Sequence, residues 1–526
     1  MNGTHEMKRT GQMNKMDQMK ITGRLKKTMV VTDLSTSAVK SYLYDCDSGA
    51  VLADSQVEIP LSVPETGAAE TDPSLWWDGL CRTVRELLQG HDGSQVEAIA
   101  ITNQQITCVF LDEDGQPVAP ALLWMDTRCT EEVERLLVRC AEEGMGSGWL
   151  TETTGIPPSD SWGLAKLLWL RSRSPELYKR IRRVASVDAY ILDKLCGRFV
   201  TDETNACFFH LDIRTRKPAA DMLAYLNVDV ELFPEVVPPG TVVGSLGPEA
   251  ERQTGLPAGL TVVAAASDQP CAMLGMGVGR SGEAVVNLGT GTFVMAPTVA
   301  PLADGRMMTN ISALPSQWLM MGTHYLTGGA MSWLRNMLAA AGSSAGFADL
   351  SDSAAHVGPG SDGLIFLPNL SGTGTPRWDP DARGLFANLG LHHSLGHMVR
   401  SVMESTGYGI RGILDTYAEI GIRFERIVMA GGPTASDVWR QSLADILQRP
   451  LELSPVREAT PLGAAMLAAA AVGRFAGVDE AVRAWSHPGV VIHPRREFAA
   501  VYDKSYKHYS AWLDAEASVR KRMEAE

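Results

Sequence analysis

Apolar and polar positions fall into regular alternation only from Met29 onward. The stretch MVVTDLSTSAVKSYLYDCDSGAVLADSQVEI, 29–59, reads as strand, polar turn, strand, Asp-Ser-Gly turn, strand. Such a pattern predicts three antiparallel strands joined by short turns. Asp72-Pro73 opens a helix to about Leu88, with Trp76, Trp77, Leu80, Val84 and Leu87 at helical spacing. One of the two tryptophans is expected in the core and the other at or near the surface. VEAIAIT (96–102) is a further strand, and 163–226 is largely helical. TVVAAA (261–266) is a short apolar run that predicts a buried strand, feeding a helix at Ser267-Asp268-Gln269-Pro270.

A second cycle starts near Gly279. EAVVNLGTGTFVMAP (283–297) is again strand, polar turn, strand, and helices follow at about 328–340 and 394–419. RIVMAGG (426–432) is a strand running into a glycine turn, and TASDVWRQSLADIL is a helix stopped at Arg449-Pro450. The Ala-rich helix from Pro461 to Ala471 has small residues that permit close approach, and a long helix ends the chain. Strands alternating with helices in two cycles predict two related α/β domains. The boundary is expected near 277–280, where Gly275, Gly277 and Gly279 cluster. This assigns 28–278 and 279–500 to the two domains and 501–526 to a C-terminal helix, with 1–27 a disordered extension. That extension lacks the apolar stretch of a signal peptide.

The chain has 526 residues, more than one core usually serves. Its net charge of −14 argues against nucleic-acid or anionic-membrane partners. An anionic cosubstrate therefore needs a local site of N–H donors, a few cations and a metal. The eight cysteines form no CxxC pair, as expected of reduced thiols in a cytoplasmic protein. No apolar run approaches the about 20 residues that span a bilayer.

Four elements carry candidate chemistry. The first turn, Asp33-Leu34-Ser35-Thr36-Ser37-Ala38-Val39-Lys40, gathers N–H and O–H donors around one point, as a phosphate requires. Asp33 at the strand end can hold Mg²⁺ through water, and Lys40 adds a cation. The second turn, Asn287-Leu288-Gly289-Thr290-Gly291-Thr292, combines close backbone approach with hydroxyl donors. Either turn alone is an ordinary hairpin. One opening each domain suggests a triphosphate gripped from both sides. The third element, Ala266-Ser267-Asp268-Gln269, puts a carboxylate at a strand's C-terminal end, where α/β sheets bind ligands. Alone it is a capping residue. The fourth is Ala430-Gly431-Gly432 before a helix, alone a tight turn. No Walker A motif occurs, and no GxGxxG in a strand–turn–helix setting.

In this order the four elements resemble the FGGY family of carbohydrate kinases, which includes xylulokinases, glycerol kinases and ribulokinases. The resemblance covers about 29–500. DPSLWWDGL (72–80), LLWMDTR (122–128), VTDETNA (200–206), FLPNLSGTGTPRWDPDARG (366–384) and DVWRQSLADILQRPL (437–451) agree with it. The last two look most like xylulokinase; ITNQ (101–104) and VTDETNA look more like glycerol kinase. The resemblance implies two ribonuclease-H-like (actin-like ATPase) domains, with ATP and a small sugar or polyol in the cleft between them. By position, Asp268 resembles the general base and Asp33 the carboxylate near Mg²⁺. Thr36, Ser37, Lys40, Gly289, Thr290 and Gly291 match the phosphate turns, and Gly328, Gly431, Gly432 and Asp437 match further nucleotide contacts. Gln105 and Ile106 stand where xylulokinases carry Met-His and glycerol kinases Arg-Glu. They are expected to set substrate range, with Gln269 nearby and Trp124, Trp162 and Phe293 as apolar walls.

The chain departs from the family pattern at Ser35 and Ala38, where glycine is usual, and at Ser267, another common glycine. Asn388 also replaces a usual glycine. The expected activity is phosphorylation of a ketose such as xylulose, with glycerol or another polyol as the alternative. An actin-like ATPase would share the fold but lack the LLWMDTR and SDQ segments. Retention of Asp33 and Asp268 argues against an inactive sugar sensor. A homodimer is left open. His392-His393 reads as a solvated turn.

Overall fold

A computed structural model describes residues 27–524 except 147 and 161, so nearly all of the N-terminal extension lies outside the described residues. The alternating pattern from 28 onward becomes strands β1 (Thr28–Leu34), β2 (Ala38–Asp45) and β3 (Val51–Glu58), paired antiparallel in sequence. β4 (Val96–Asn103), β5 (Thr241–Ser245) and β6 (Thr261–Ser267) complete a six-stranded sheet of order β5-β6-β4-β1-β2-β3. β1, β4 and β6 are mutually parallel. All three are buried along almost their whole length, which is why they read as apolar runs. Helix α1 (Ser74–Leu88) covers one face through Trp76, Leu80 and Val84. Trp77 corrects the expectation of a surface partner: it is buried too, and its indole N–H donates to Gln253 Oε1 at 2.7 Å. Helix α2 (Asp268–Gly275) leaves the end of β6.

The second sheet repeats the scheme. β7 (Glu283–Leu288), β8 (Thr292–Thr298), β9 (Met308–Ile311) and β10 (Trp318–His324) are antiparallel neighbours, while β11 (Arg426–Gly431) and β12 (Leu451–Leu453) run parallel to β7. With β13 (Val490–Ile492) the order is β9-β10-β8-β7-β11-β12-β13. In both sheets a hairpin-linked antiparallel run joins parallel strands at its first member. Helices α3 (Gly328–Ala340), α4 (Leu395–Glu419) and α5 (Asp437–Leu447) pack in this half.

Helix α6 (Ala459–Ala471) follows the second sheet in sequence but packs against α2, and its alanines join the core under β1 and β4. The close approach expected of its small residues is present. A Cβ on Gly463 would lie 1.9 Å from the Cys271 carbonyl oxygen, and one on Gly275 1.9 Å from that of Ala459. Gly275 is thus a packing position rather than a loose joint. The C-terminal helix α7 (Ala499–Glu524) docks through Tyr502, whose hydroxyl meets the buried Arg400–Glu404 pair at 3.1 Å from each partner. No helix among the described residues is long and apolar enough to cross a membrane.

Candidate active site

Register builds the site. Leu34 pairs with Asn103, and Asn103 with Ser267, so β1, β4 and β6 end side by side. The residues that follow them — 35–37, 104–106 and 268–269 — meet at the carboxyl edge of the sheet, where open α/β sheets bind ligands. Asp33 faces Lys40 across the β1–β2 hairpin. It is 9% exposed, and its carboxyl is pushed up to about 7, first by burial and then by the charge of Asp268, against the opposing pull of Lys40. Asp268 is half-buried at the start of α2 and is pushed up to about 6 by loss of solvent, partly offset by the Gln269 N–H at 2.8 Å. Two carboxylates close enough to disfavour each other's charge are a setting that a divalent cation relieves. Among the described residues no three His, Cys, Asp or Glu side chains could cage a metal. This donor set fits Mg²⁺, which keeps waters and phosphate oxygens as ligands and needs few carboxylates from protein.

In the first turn the Thr36 hydroxyl is already committed. It donates to Gln104 Oε1 at 2.6 Å and accepts from Trp124 Nε1 at 3.0 Å. The backbone N–H groups of Thr36 and Ser37 make no hydrogen bond among the described residues, and Ser37 is exposed. The donors this turn can still offer a ligand are therefore its main chain and Ser37. Trp124, 42% exposed, ties the wall of the expected sugar pocket to this turn. The second turn is braced from behind by α3: Thr327 N–H donates to Thr290 O at 2.7 Å, and Gly328 N–H to Gly289 O at 3.0 Å. The amides of Thr290 and Gly291 are left without partners among the described residues. Gly431, at φ +111°, pairs with Leu288 and leaves no room for a side chain, since a Cβ would sit 1.8 Å from Leu288 O. Gly432 beside it faces open space. The structure thus brings Gly289, Thr290, Gly291, Gly328, Gly431 and Gly432 together. Asp437, at the start of α5 just beyond Gly432, is exposed and paired with Arg440 at 2.5 Å.

Beside these turns, two of the contacts that cross between the halves bear on the site. Asn287 Nδ2 lies 3.4 Å from Gln269 Oε1, and Lys40 Nζ lies 3.6 Å from Glu458 Oε2. Phe293, half-buried on β8, follows the second turn. Ile106 and Trp162 are less accessible than expected for walls of an open pocket: both are buried in the large core cluster that runs through both halves. Ile106 takes φ +71°, costly for a β-branched residue, and Thr107 N–H closes back on Gln105 O at 2.8 Å. Gln105 is buried with Nε2 2.8 Å from Ser267 Oγ.

Residue-by-residue reading missed Gln104, Glu458 and the buried web of Asn103, Asp202, Thr204 and Asn205 behind Ser267. A weak signal existed: ITNQ and VTDETNA put amides and hydroxyls directly after strand-like runs.

Two sheets of the same build, a carboxylate pair at the carboxyl edge of the first and donor-rich turns opening each half define a two-domain phosphotransferase of the actin-like ATPase class. Residues 28–275 match the N-terminal domain, and 284–472 the C-terminal domain, of the FGGY family of carbohydrate kinases. The chain belongs to that family and is a carbohydrate kinase that uses ATP. It is 26% identical to a xylulose kinase of Staphylococcus xylosus over 92% of this chain and 99% of the relative. It is 28% identical to a glycerol kinase of Thermococcus onnurineus over 92% and 96%. The ligand-bound xylulose kinase structure from Lactobacillus acidophilus superposes with a TM-score of 0.88 at 26% identity, over 94% of this chain and all of that one.

Proposed function

We propose that the protein transfers the γ-phosphoryl group of Mg·ATP to a hydroxyl of a small ketose such as xylulose, in a cleft between 28–278 and 279–500. The observation that carries this reading is Asp268, a half-buried carboxylate at the strand end beside Asp33 and the Ser267–Gln105 contact. Asp268 orients the sugar hydroxyl and takes its proton as the oxygen–phosphorus bond forms. Asp33 holds Mg²⁺ through water, and the ion when bound neutralises charge on the phosphates. Main-chain donors at Thr36–Ser37 and Thr290–Gly291, with Lys40, receive phosphate oxygens. Gly431 and Gly432 make space for the adenosine side. Trp124 and Phe293 flank the sugar, and Gln269 bridges toward Asn287.

Glycerol or another polyol is the second reading, favoured by the ITNQ and VTDETNA segments and by the glycerol kinase relatives. We place the enzyme in the cytoplasm, in keeping with eight free cysteines. Exposed Leu389 and Leu391 suit a homodimer contact, which size-exclusion chromatography tests. The deciding experiment is ATP consumption against D-xylulose, D-ribulose and glycerol, with the product read by phosphorus NMR. Sugar-dependent turnover with at least one is expected; turnover that no sugar or polyol stimulates refutes the reading.

A further inference from the structure

Behind the site runs a chain of hydrogen bonds that the reaction scheme leaves unused. Gln105 Nε2 lies 2.8 Å from Ser267 Oγ, and Ser267 Oγ 2.9 Å from Thr204 Oγ1. Thr204 Oγ1 in turn donates to Asp202 Oδ1. All four side chains are buried. The direction of the protons follows from the far end. Asp202 receives the Thr204 N–H at 2.7 Å on Oδ1 and the Asn205 amide at 2.6 Å on Oδ2, so three donors converge on it. An ionised carboxylate only accepts. Burial and the charge of Asp188 raise the Asp202 carboxyl, while the three converging donors favour its ionised form, the form that leaves every one of them an acceptor.

The single hydroxyl proton of Thr204 therefore goes to Asp202. Thr204 Oγ1 is left to accept, from the Ser267 N–H at 2.8 Å and from the Ser267 hydroxyl. With its own proton given to Thr204, Ser267 Oγ can only accept from Gln105, and the group facing it must be the NH₂ end of the amide. An amide's orientation is read from its partners, and here the partners leave one choice. Gln105 Oε1 then points away from Ser267 and makes no hydrogen bond among the described residues. The backbone turn at Ile106, φ +71°, adds a second restraint on where Gln105 stands.

We propose that Ser267 is a positioning residue for substrate selection: its hydroxyl locks the Gln105 amide with Oε1 toward the sugar, so that the pocket selects a substrate that donates a hydroxyl proton there. The proposal rests on the carbohydrate-kinase reading of the site. A glycine at 267, usual in the family, has no hydroxyl to make this lock and leaves the amide free to turn either end to the ligand. A fixed acceptor rejects an analogue that lacks the hydroxyl, because the buried oxygen is then left unpaired.

The test compares parent and deoxy ligands at pH 8: D-xylulose with 1-deoxy-D-xylulose, and glycerol with propane-1,2-diol and propane-1,3-diol. Both kcat/KM and calorimetric Kd are measured for wild type, Ser267→Ala, Ser267→Gly, Gln105→Leu and the Gln105→Leu/Ser267→Ala double variant. Wild type is expected to prefer one parent over its deoxy partner by on the order of tenfold or more. Each single variant is expected to erase most of that preference, in Kd as well as in kcat/KM. The double variant is expected to lose no more than Gln105→Leu alone, because the two residues act as one unit. A preference that survives Ser267→Ala or Ser267→Gly, or losses that add in the double variant, overturn the proposal. So does a wild type that binds parent and deoxy ligands alike, or binds none. Discriminating binding without any phosphoryl transfer counts instead against the kinase reading and leaves the lock standing.

Discussion

Replacing Asp268 by Asn keeps the side chain's shape and removes its capacity to take a proton. Burial lifts the Asp268 carboxyl to about 6 from a model-peptide value of 3.8. The sign matters: a raised pKa means the basic form is lost as pH falls through about 6. The ionised fraction is about nine-tenths at pH 7, one half at pH 6 and one tenth at pH 5, whereas an unshifted aspartate stays about nine-tenths ionised at pH 5. Wild-type kcat/KM should therefore fall about tenfold between pH 7 and pH 5 through this group. The Asn variant should lack that acid limb. Its rate should also lie 10²- to 10⁴-fold below wild type, roughly the span a positioned general base supplies. ATP affinity should hold, because the proposed nucleotide contacts lie on the other turns. The assay is rapid-quench single-turnover transfer from labelled ATP, with enzyme in excess and the sugar that supports turnover saturating, repeated from pH 5 to pH 8. A variant rate within about threefold of wild type would falsify the role of Asp268 as base, since that is far below the effect of losing one.

Asp33→Asn should stabilise the nucleotide-free protein while abolishing turnover. The Asp33 carboxyl is raised to about 7, so its charging opposes folding from about pH 4 upward, and urea midpoints without Mg²⁺ should show the variant's gain larger by about 2–3 kcal/mol at pH 8 than at pH 5. Equal gains at the two pH values would mean that the carboxyl is not strained by its site. Gly463→Ala puts a Cβ 1.9 Å from Cys271 O and must part α2 from α6; about 1–3 kcal/mol of stability and at least tenfold in kcat/KM should be lost, by thermal melts and steady-state assay. Glu404→Ala strands the buried Arg400 and frees Tyr502 of α7, which should cost about 3–5 kcal/mol in urea unfolding with KM values unchanged in whatever remains folded.

What was legible in the sequence was what local pattern controls. The hairpins at 28–45 and 283–298, the helix at Gly328–Ala340 and the strand-to-glycine run at 426–431 follow from alternation and turn residues alone. The four chemical elements were legible for the same reason, since each sits where a strand ends and the residue order is fixed by the backbone. Side-chain commitments were not legible. Thr36 reads as a phosphate donor until Gln104, 68 residues away, takes its proton. One of Trp76 and Trp77 reads as a surface or half-buried residue, yet both are buried, with Gln253 covering the Trp77 indole nitrogen. Ile106 reads as a pocket wall, yet its left-handed backbone turns it into the core. In each case the deciding partner comes from a distant segment, and neither periodicity nor propensity reports on it.

The position of α6 explains how a site split over two sheets can act as one. The helix belongs by sequence to the second half but lies against α2, the helix that begins with Asp268. Thr460 Oγ1 at its start lies 3.4 Å from Asp268 O, and Glu458 just before it faces Lys40 of the first phosphate turn. One helix start of the second half thus touches both Asp268 and Lys40. The reciprocal glycines at 275 and 463 bring the helix backbones together without intervening side chains, inside a core that runs through both halves. The expected closure on binding both substrates would bring the two donor turns together while Asp268 stays at its own strand end, and small-angle scattering unchanged by an ATP analogue plus sugar would count against it. That is the geometry a phosphoryl transfer needs: the donor is delivered to an acceptor already oriented.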